Sequence, residues 1–151
     1  MIKIICVGKI KEKFFKEAIK EYEKRLSKYT KLKIIEVEDY NINNEEIIRQ
    51  KEKQEILKYI DQKDYIITLE IEGNELSSLE LSKKIEQLTI NNPNITFIIG
   101  GSYGLDNEIK QLSNYKLSFS KLTFPHQLFR VILLEQIYRS YKIINNESYH
   151  K

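Results

Sequence analysis

Glycines follow the apolar runs of this chain, and this pattern is its clearest indication of chemistry. Only five glycines occur among 151 residues, each at or shortly after the end of a run typical of a β-strand. Gly8 and Gly73 follow two such runs, and Gly100, Gly101 and Gly104 all follow a third. In an open parallel α/β sheet, ligands bind outside the carboxyl ends of the strands, where loop backbone must come close to them. We therefore predict a binding site at residues 100–104, here called the glycine loop.

Few side chains in this sequence can carry acid–base chemistry or bind a metal. His126 and His150 are the only histidines, which argues against a zinc site. Cys6 is the only cysteine and is predicted to be a small buried hydrophobe without a disulfide partner. The glycine loop fits neither the dinucleotide fingerprint nor a P-loop, and no serine has the context of a nucleophile elbow. A site rich in backbone groups suits a transferase whose cofactor already carries the activated group.

The apolar pattern predicts one α/β domain over residues 1–151, with strands and helices in alternation. A run that is apolar almost throughout, such as 95–99, is typical of a parallel strand buried on both faces. The predicted strands are 2–7, 32–37, 65–69, 95–99 and 115–119. The predicted helices are 12–29, 45–60, a helix capped by Ser77 and Glu80 that runs to residue 88, 107–112, and a last helix with Pro125 as its first residue.

The last predicted helix is apolar on nearly all sides. Between Leu128 and Ile144 its residues leave no broad polar face. Such a helix must be covered on more than one side, either by running through the middle of the domain or by pairing with a second subunit. The two arrangements are compatible, and the second predicts a homodimer.

Basic charge is concentrated at the start of the chain. Residues 1–33 carry eleven Lys and Arg against four acidic residues, 34–86 carry seven against fourteen, and 87–151 carry seven against four, consistent with the net charge of +3. The lysines of the first helix are either a solvated face or contacts to nucleic-acid phosphates. No apolar run is long enough for a membrane span and no signal peptide opens the chain, so we expect a cytoplasmic protein.

Four ordered motifs resemble the RlmH family of SPOUT-class ribosomal RNA large-subunit methyltransferases. The resemblance runs from the first residue to the last, and VGK at 7–9 and the segment 130–139 agree with it. Motifs in the correct succession are far more specific than any one of them alone. They read LEIEG at 69–73, IIGGSYGL at 98–105, LSFSKLTFPHQ at 117–127 and YHK at 149–151.

The resemblance implies an enzyme that uses S-adenosylmethionine. Members of this family have a parallel-sheet α/β fold whose C-terminal part forms a trefoil knot, and they work as homodimers. They methylate N3 of a pseudouridine in a 23S rRNA hairpin of the assembled 70S ribosome. No metal and no membrane is implied.

The resemblance also implies which residues form the site. Gly100 is expected to lack a side chain because the cofactor lies against its backbone, and Leu69, Leu122 and Phe124 are expected to form apolar walls. The full implied cofactor set is Leu69, Gly100, Phe119, Ser120, Lys121, Leu122, Thr123 and Phe124.

Two residues of the tail are the predicted catalytic pair. His150 is the candidate base for the proton on N3, and Tyr149 is expected to stack on or hydrogen-bond to the target base. His126 is interpreted as a structural contact in the floor of the pocket. The tail reaches the target only if it folds back over a pocket, its own or that of a partner subunit.

Two other functions fit parts of the sequence. A non-enzymatic RNA-binding module would account for the basic first helix but would leave the glycine loop without a purpose. A SPOUT methyltransferase that acts on tRNA would share the pocket and differ in its target.

Overall fold

Five strands and five helices alternate along the chain in a computed structural model, which describes residues 1–151. The strands are β1 (Ile2–Val7), β2 (Leu32–Val37), β3 (Asp64–Glu75), β4 (Asn94–Ile99) and β5 (Tyr115–Ser118). The helices are α1 (Lys13–Leu26), α2 (Glu45–Leu57), α3 (Ser78–Asn91), α4 (Asn107–Leu112) and α5 (His126–Ile144). The predicted alternation is confirmed, with differences at the ends of several elements.

The five strands form one parallel sheet in the order β2-β1-β4-β3-β5. β1 and β4 are neighbours inside the sheet, and every residue of β1 is buried. Helices on both faces of the sheet explain why these two strands are apolar at most positions, with Lys3 in β1 and Asn94 and Thr96 in β4 as the polar exceptions. Because all strands run in the same direction, their carboxyl ends meet at one edge. The predicted parallel α/β fold is confirmed.

The last helix is covered in part within its own chain, where Leu128 stays exposed and Val131 and Ile132 are half-buried. Helices α1, α3 and α5 pack on one face of the sheet, whereas α2 and α4 pack on the other. α5 contacts both α1 and α3, and buries Leu133, Ile137 and Tyr141. This is the first of the two predicted arrangements, and pairing with a second subunit, which is compatible with it, stays a prediction. Pro125 precedes α5 as its N-terminal cap residue and is not its first residue.

β3 extends beyond the predicted 65–69. It continues to Glu75 through a register shift between Leu69 and Asn74, after which it pairs with β5 again. Gly73 therefore lies inside a strand, which corrects its placement after one. A Cβ atom there would lie 2.8 Å from the backbone carbonyl of Lys116, so this glycine permits a close approach of two strands.

Two helices end three residues earlier than the apolar spacing predicts. The backbone N–H of Tyr29 donates to the carbonyl of Leu26 at 2.9 Å, because the chain turns there instead of continuing as helix. Tyr59 falls within the predicted helix 45–60, but it lies after the end of α2 and is 42% exposed. The predicted cap of α3 is confirmed, since Ser77 Oγ accepts a hydrogen bond from the N–H of Glu80.

A buried ion pair joins β1 to β3. Lys3 Nζ lies 2.5 Å from Asp64 Oδ2, and the carboxyl group is fully buried. The pair makes a charged residue compatible with an otherwise apolar strand.

The structure also describes the single cysteine, the length of the helices and the grouping of possible metal ligands. Cys6 is free and fully buried, and burial raises its pKa to about 11, as suits a small hydrophobe. None of the five helices combines the length and hydrophobicity needed to cross a bilayer. No three His, Cys, Asp or Glu side chains are grouped so that they could hold a metal ion.

Candidate functional site

A cavity of about 520 Å³ lies at the carboxyl ends of β3, β4 and β5. Its walls come from residues 69–72 of β3, residues 99–105 except Tyr103, Lys110 of α4, residues 117–124 except Lys121, and His126 and Phe129 of α5. This is the edge of the sheet at which the glycine pattern predicts a ligand. Gly100, Gly101 and Gly104 line the cavity, whereas Gly8 and Gly73 do not.

Seven of the eight residues implied for the cofactor line this cavity. Lys121 is the exception, and its side chain is exposed to solvent. The seven are Leu69, Gly100, Phe119, Ser120, Leu122, Thr123 and Phe124.

Aromatic side chains form one wall of the cavity. The ring of Phe129, on α5, lies 5.1 Å from that of Phe119 and 5.9 Å from that of Phe124. Between these two rings the chain is shaped by Ser120, whose Oγ accepts a hydrogen bond from the N–H of Leu122 at 3.0 Å. The wall therefore presents flat apolar surface together with backbone polar groups, as small-molecule sites commonly do.

The glycine loop folds tightly back on itself. The N–H of Gly104 donates to the carbonyl of Gly101 at 3.1 Å, and Gly104 has a φ of +77°. A Cβ atom on Gly100 would lie 2.9 Å from the backbone carbon of Gly104 and 3.1 Å from the side chain of Leu105. The expected reason for glycine at position 100 therefore needs correction, because the loop itself occupies the space that a side chain would take.

Two acidic side chains belong to the lining of the cavity. Glu70 and Glu72 both line the cavity, together with Lys110 from α4. Glu70 is held on one side by the hydroxyl of Thr68, 2.6 Å away, and on the other by Lys110 at 3.9 Å. The carboxylate of Glu70 is therefore already oriented and can bind a positively charged group of a ligand.

His126 is the one histidine on the cavity lining. Burial, and then the nearby positive charge of Arg130, lower its pKa below the usual value. The imidazole is therefore neutral at pH 7 and able to accept a proton. Its position agrees with its interpretation as part of the pocket floor.

The predicted catalytic pair lies elsewhere in the chain. Tyr149 packs edge-on against Tyr138 at 5.1 Å, under the guanidinium of Arg139. His150 Nδ1 lies 3.2 Å from Nη1 of Arg139. Neither tail residue lines the cavity. Arg139 is ten residues beyond Phe129, which corresponds to about 15 Å along the helix.

Two buried charged residues near the site were not predicted from the sequence as functional candidates. Arg130, 3% exposed, donates to the carbonyls of Val7 and Gly8 at 2.9 and 2.6 Å. Glu52, on α2, is 4% exposed and lies under Gly101. Arg130 could have been found as a charged residue within an otherwise apolar helix. Glu52 could not, because it lies in a helix with many charged residues and does not stand out from them.

A family model described as "Predicted SPOUT methyltransferase" matches residues 1–150, so the chain belongs to the SPOUT methyltransferases. A relative from Methanococcus maripaludis is 55% identical over 99% of both chains. Relatives from Finegoldia magna and Clostridium botulinum, at 54% and 53% identity over 99% of both chains, are named ribosomal RNA large subunit methyltransferase H. Within the SPOUT class the chain falls in this methyltransferase H group, which confirms the resemblance seen in its motifs.

A solved structure shares the fold at low sequence identity. It is that of a "probable methylase family protein" from Haemophilus influenzae Rd KW20, with a TM-score of 0.59 and 14% identity. The alignment covers 99% of this chain and 70% of that one. This likeness concerns the fold alone.

Proposed function

We propose that the protein transfers a methyl group from S-adenosylmethionine to 23S ribosomal RNA, at N3 of a pseudouridine in the assembled 70S ribosome. The observation that carries the proposal is the cavity at the ends of β3, β4 and β5, lined by seven of the eight residues implied for the cofactor. The names of its close relatives support ribosomal RNA as the substrate class. Action on ribosomes would place the protein in the cytoplasm.

The residues of the cavity fit this cofactor. A volume of about 520 Å³ is within the usual range for small-molecule sites. Phe119, Phe124 and Leu122 offer apolar surface to an adenine ring, and loop backbone offers hydrogen bonds to it. Glu70 and Glu72 suit the positive charges of the ligand. When bound, S-adenosylmethionine supplies a methyl group that is already activated on a sulfonium centre.

The main task of the protein is then to position the acceptor and exclude water. Alignment of two reacting groups can supply about 7–11 kcal/mol of the barrier. The proton on N3 must also leave, and we assign its removal to His150, with Tyr149 holding the base. His126, neutral near pH 7, keeps its assignment to the pocket floor.

We propose a homodimer in which the tail of one subunit completes the cavity of the other. The separation of Tyr149 and His150 from the cavity supports this, because a single subunit does not bring them together. The trefoil knot of the C-terminal part remains part of the proposal, supported by membership of the SPOUT family.

The cofactor assignment is tested with two matched leucine variants. Leu122 lines the cavity and is 72% exposed, whereas Leu112 is 43% exposed on α4 and does not line it. We expect Leu122→Ala to weaken S-adenosylmethionine binding about tenfold in calorimetry, since an apolar wall of this size contributes about 1.5 kcal/mol. Leu112→Ala should bind like wild type. Equal affinity of both variants would move the cofactor out of this cavity.

The acceptor is tested with 70S ribosomes, isolated large subunits, free 23S rRNA and tRNA. We expect methylation of 70S ribosomes, with N3-methylpseudouridine identified by mass spectrometry of the digested RNA. Methylation of tRNA alone would make the protein a tRNA methyltransferase. RNA binding without any cofactor binding would make it a non-enzymatic module.

The basic start of the chain is assigned to ribosome binding. Lys9, Lys13 and Lys16 are exposed, and contacts between lysines and phosphates make affinity fall steeply with salt. We expect charge reversal at these positions to weaken ribosome binding and flatten its salt dependence, with cofactor affinity unchanged. An unaltered salt slope would show the helix to be only a solvated face.

A further inference from the structure

Glu52 is a buried carboxyl group directly beneath the glycine loop. It is 4% exposed, and its Oε1 atom is buried without a hydrogen-bond partner. Both carboxyl oxygens would lie 2.8 Å from a Cβ atom on Gly101. The missing side chain at position 101 thus makes room for a carboxyl group that reaches the loop from the opposite side of the cavity wall.

No cation is paired with this carboxyl group. Asp39, just after β2, is the charged group that acts on Glu52 most clearly, and burial together with Asp39 raises the pKa of Glu52 to about 7. Arg130 of α5 is also buried at the carboxyl edge of the sheet, but its guanidinium donates to Glu36 and to the backbone carbonyls of Val7 and Gly8.

The other neighbouring elements supply no counter-ion. Lys53, the next residue on α2, faces α4, where its Nζ lies 4.0 Å from Asp106 and 3.8 Å from Glu108. Residues 94–105, which include β4 and the glycine loop, contain no charged side chain. The charged form of Glu52 would therefore be buried and unpaired, which is strongly unfavourable.

We propose that Glu52 is a positioning residue that supports the glycine loop as a neutral carboxylic acid, and through the loop holds the cofactor. The effect on the cofactor rests on the function proposed above. The contact between Glu52 and the glycine loop is independent of that function, because both groups belong to the protein and no ligand takes part.

Ionisation of Glu52 should loosen the loop. A carboxylate beside Asp39 must recover its hydration, and it can do so only by leaving its place under Gly101. With a pKa of about 7, about one molecule in eleven is still protonated at pH 8. If only this form holds the loop, cofactor affinity falls by up to about tenfold between pH 6 and pH 8.

The first measurement is hydrogen exchange of residues 100–105 in the full chain without cofactor, at pH 6, 7 and 8, corrected for intrinsic exchange. We expect loop protection to fall with pH in the wild type and to stay constant in Glu52→Gln, whose neutral amide has the same shape. Glu46→Gln, an exposed carboxyl group on the same helix, is the matched control and should behave like wild type. The same pH dependence in Glu52→Gln and wild type would overturn the proposal.

The second measurement is calorimetric titration with S-adenosylmethionine at the same pH values. We expect wild-type affinity to fall about tenfold from pH 6 to pH 8, and that of Glu52→Gln to change less than twofold. Gly101→Ala, which adds the Cβ atom that displaces the carboxyl group, should be insensitive to pH like Glu52→Ala. The losses of these two variants should not add in the double variant, because both remove one contact.

The two measurements separate the inference from the proposed function. Cofactor binding with identical pH profiles in wild type and Glu52→Gln would leave the function standing and overturn the role of Glu52. Loop protection that depends on Glu52, in a protein that binds no S-adenosylmethionine, would support the contact and contradict the cofactor assignment.

Discussion

Arg130 connects the last helix to the end of the first strand. Its Nη2 atom donates to the carbonyls of Val7 and Gly8, and its Nη1 atom lies 2.7 Å from a carboxylate oxygen of Glu36. The guanidinium suits this place because its planar fork satisfies several acceptors at once. It also contributes positive charge near His126, which lines the cavity. One residue thus influences both the packing of α5 and the electrostatics of the site.

The first prediction concerns the stability that Arg130 provides. Arg130→Ala leaves two buried carbonyls without their donor, and we expect a loss of about 3 kcal/mol in the free energy of unfolding measured with urea. Arg130→Lys should recover part of it, because one ammonium cannot replace the fork. Arg49→Ala, which removes a surface ion pair with Glu45, should lose less than about 1 kcal/mol. Equal losses in the alanine variants would contradict this account.

At the scale of elements, the sequence predicted best where local pattern and tertiary packing agree. β1 and β2 were predicted to the residue, because their apolar runs and flanking polar residues coincide with the sheet. The extension of β3 was missed, because Glu70, Glu72 and Gly73 give the pattern of a loop. It is stabilised by pairing with β5, which lies more than forty residues further along the chain.

The candidate site was predictable for a different reason. The strand ends and glycines indicated the edge of the sheet, while the individual residues came from the family motifs and not from periodicity. Arg130 and Glu36 are 94 residues apart in sequence, and their contact exists only in the folded chain. The same holds for Glu52 and Gly101, whose proximity depends on how α2 packs on the sheet.

The second prediction concerns the ion pair that joins two of these strands. Burial would raise the pKa of Asp64, but hydrogen bonds from Lys3, the N–H of Asp61 and Asn94 outweigh it and lower the pKa below its usual value. A lowered pKa in the folded state stabilises the protein above the unfolded-state value, about 3.9, and this stability is lost as the pH falls through the folded value.

Asp64→Asn should therefore have two effects on urea unfolding. At pH 7 it should lose about 3 kcal/mol, because Lys3 is left buried without its partner. Below pH 4 its stability should fall less steeply than that of wild type, because the carboxyl group that must take up a proton is gone. Glu86→Gln, an exposed carboxyl group on α3, should retain the wild-type slope. If the stability of Asp64→Asn fell as steeply below pH 4 as that of wild type, Asp64 would not be the group responsible for the loss of stability in acid.

At the scale of the whole molecule, the cavity and the C-terminal tail contact different parts of the long helix α5. Phe129, near the start of α5, belongs to the cavity, whereas Tyr138 and Arg139 hold the tail. The chain returns along the helix after Asn146, whose φ is +53°, and ends against Arg139. An active site that uses both regions therefore needs either a large movement of the tail or a second subunit.

The third prediction distinguishes these two possibilities by mixing subunits. One parent carries Gly100→Val, which we expect to abolish cofactor binding because its side chain meets Gly104 and Leu105. The other parent ends at Ser148 and lacks Tyr149 and His150. We expect each homodimer to bind ribosomes but to methylate them far more slowly than wild type. If the tail of one subunit completes the cavity of the other, the mixed dimer contains one intact site.

Methylation assays after unfolding and refolding the parents together should then recover about a quarter of wild-type activity, since random pairing makes half of the dimers mixed. Each parent refolded alone is the control. Suppose that native mass spectrometry shows that mixed dimers have formed and that they are as inactive as their two parents. The tail and the cavity of one site would then lie in the same subunit. Full activity in the truncated parent would instead remove Tyr149 and His150 from the chemistry altogether.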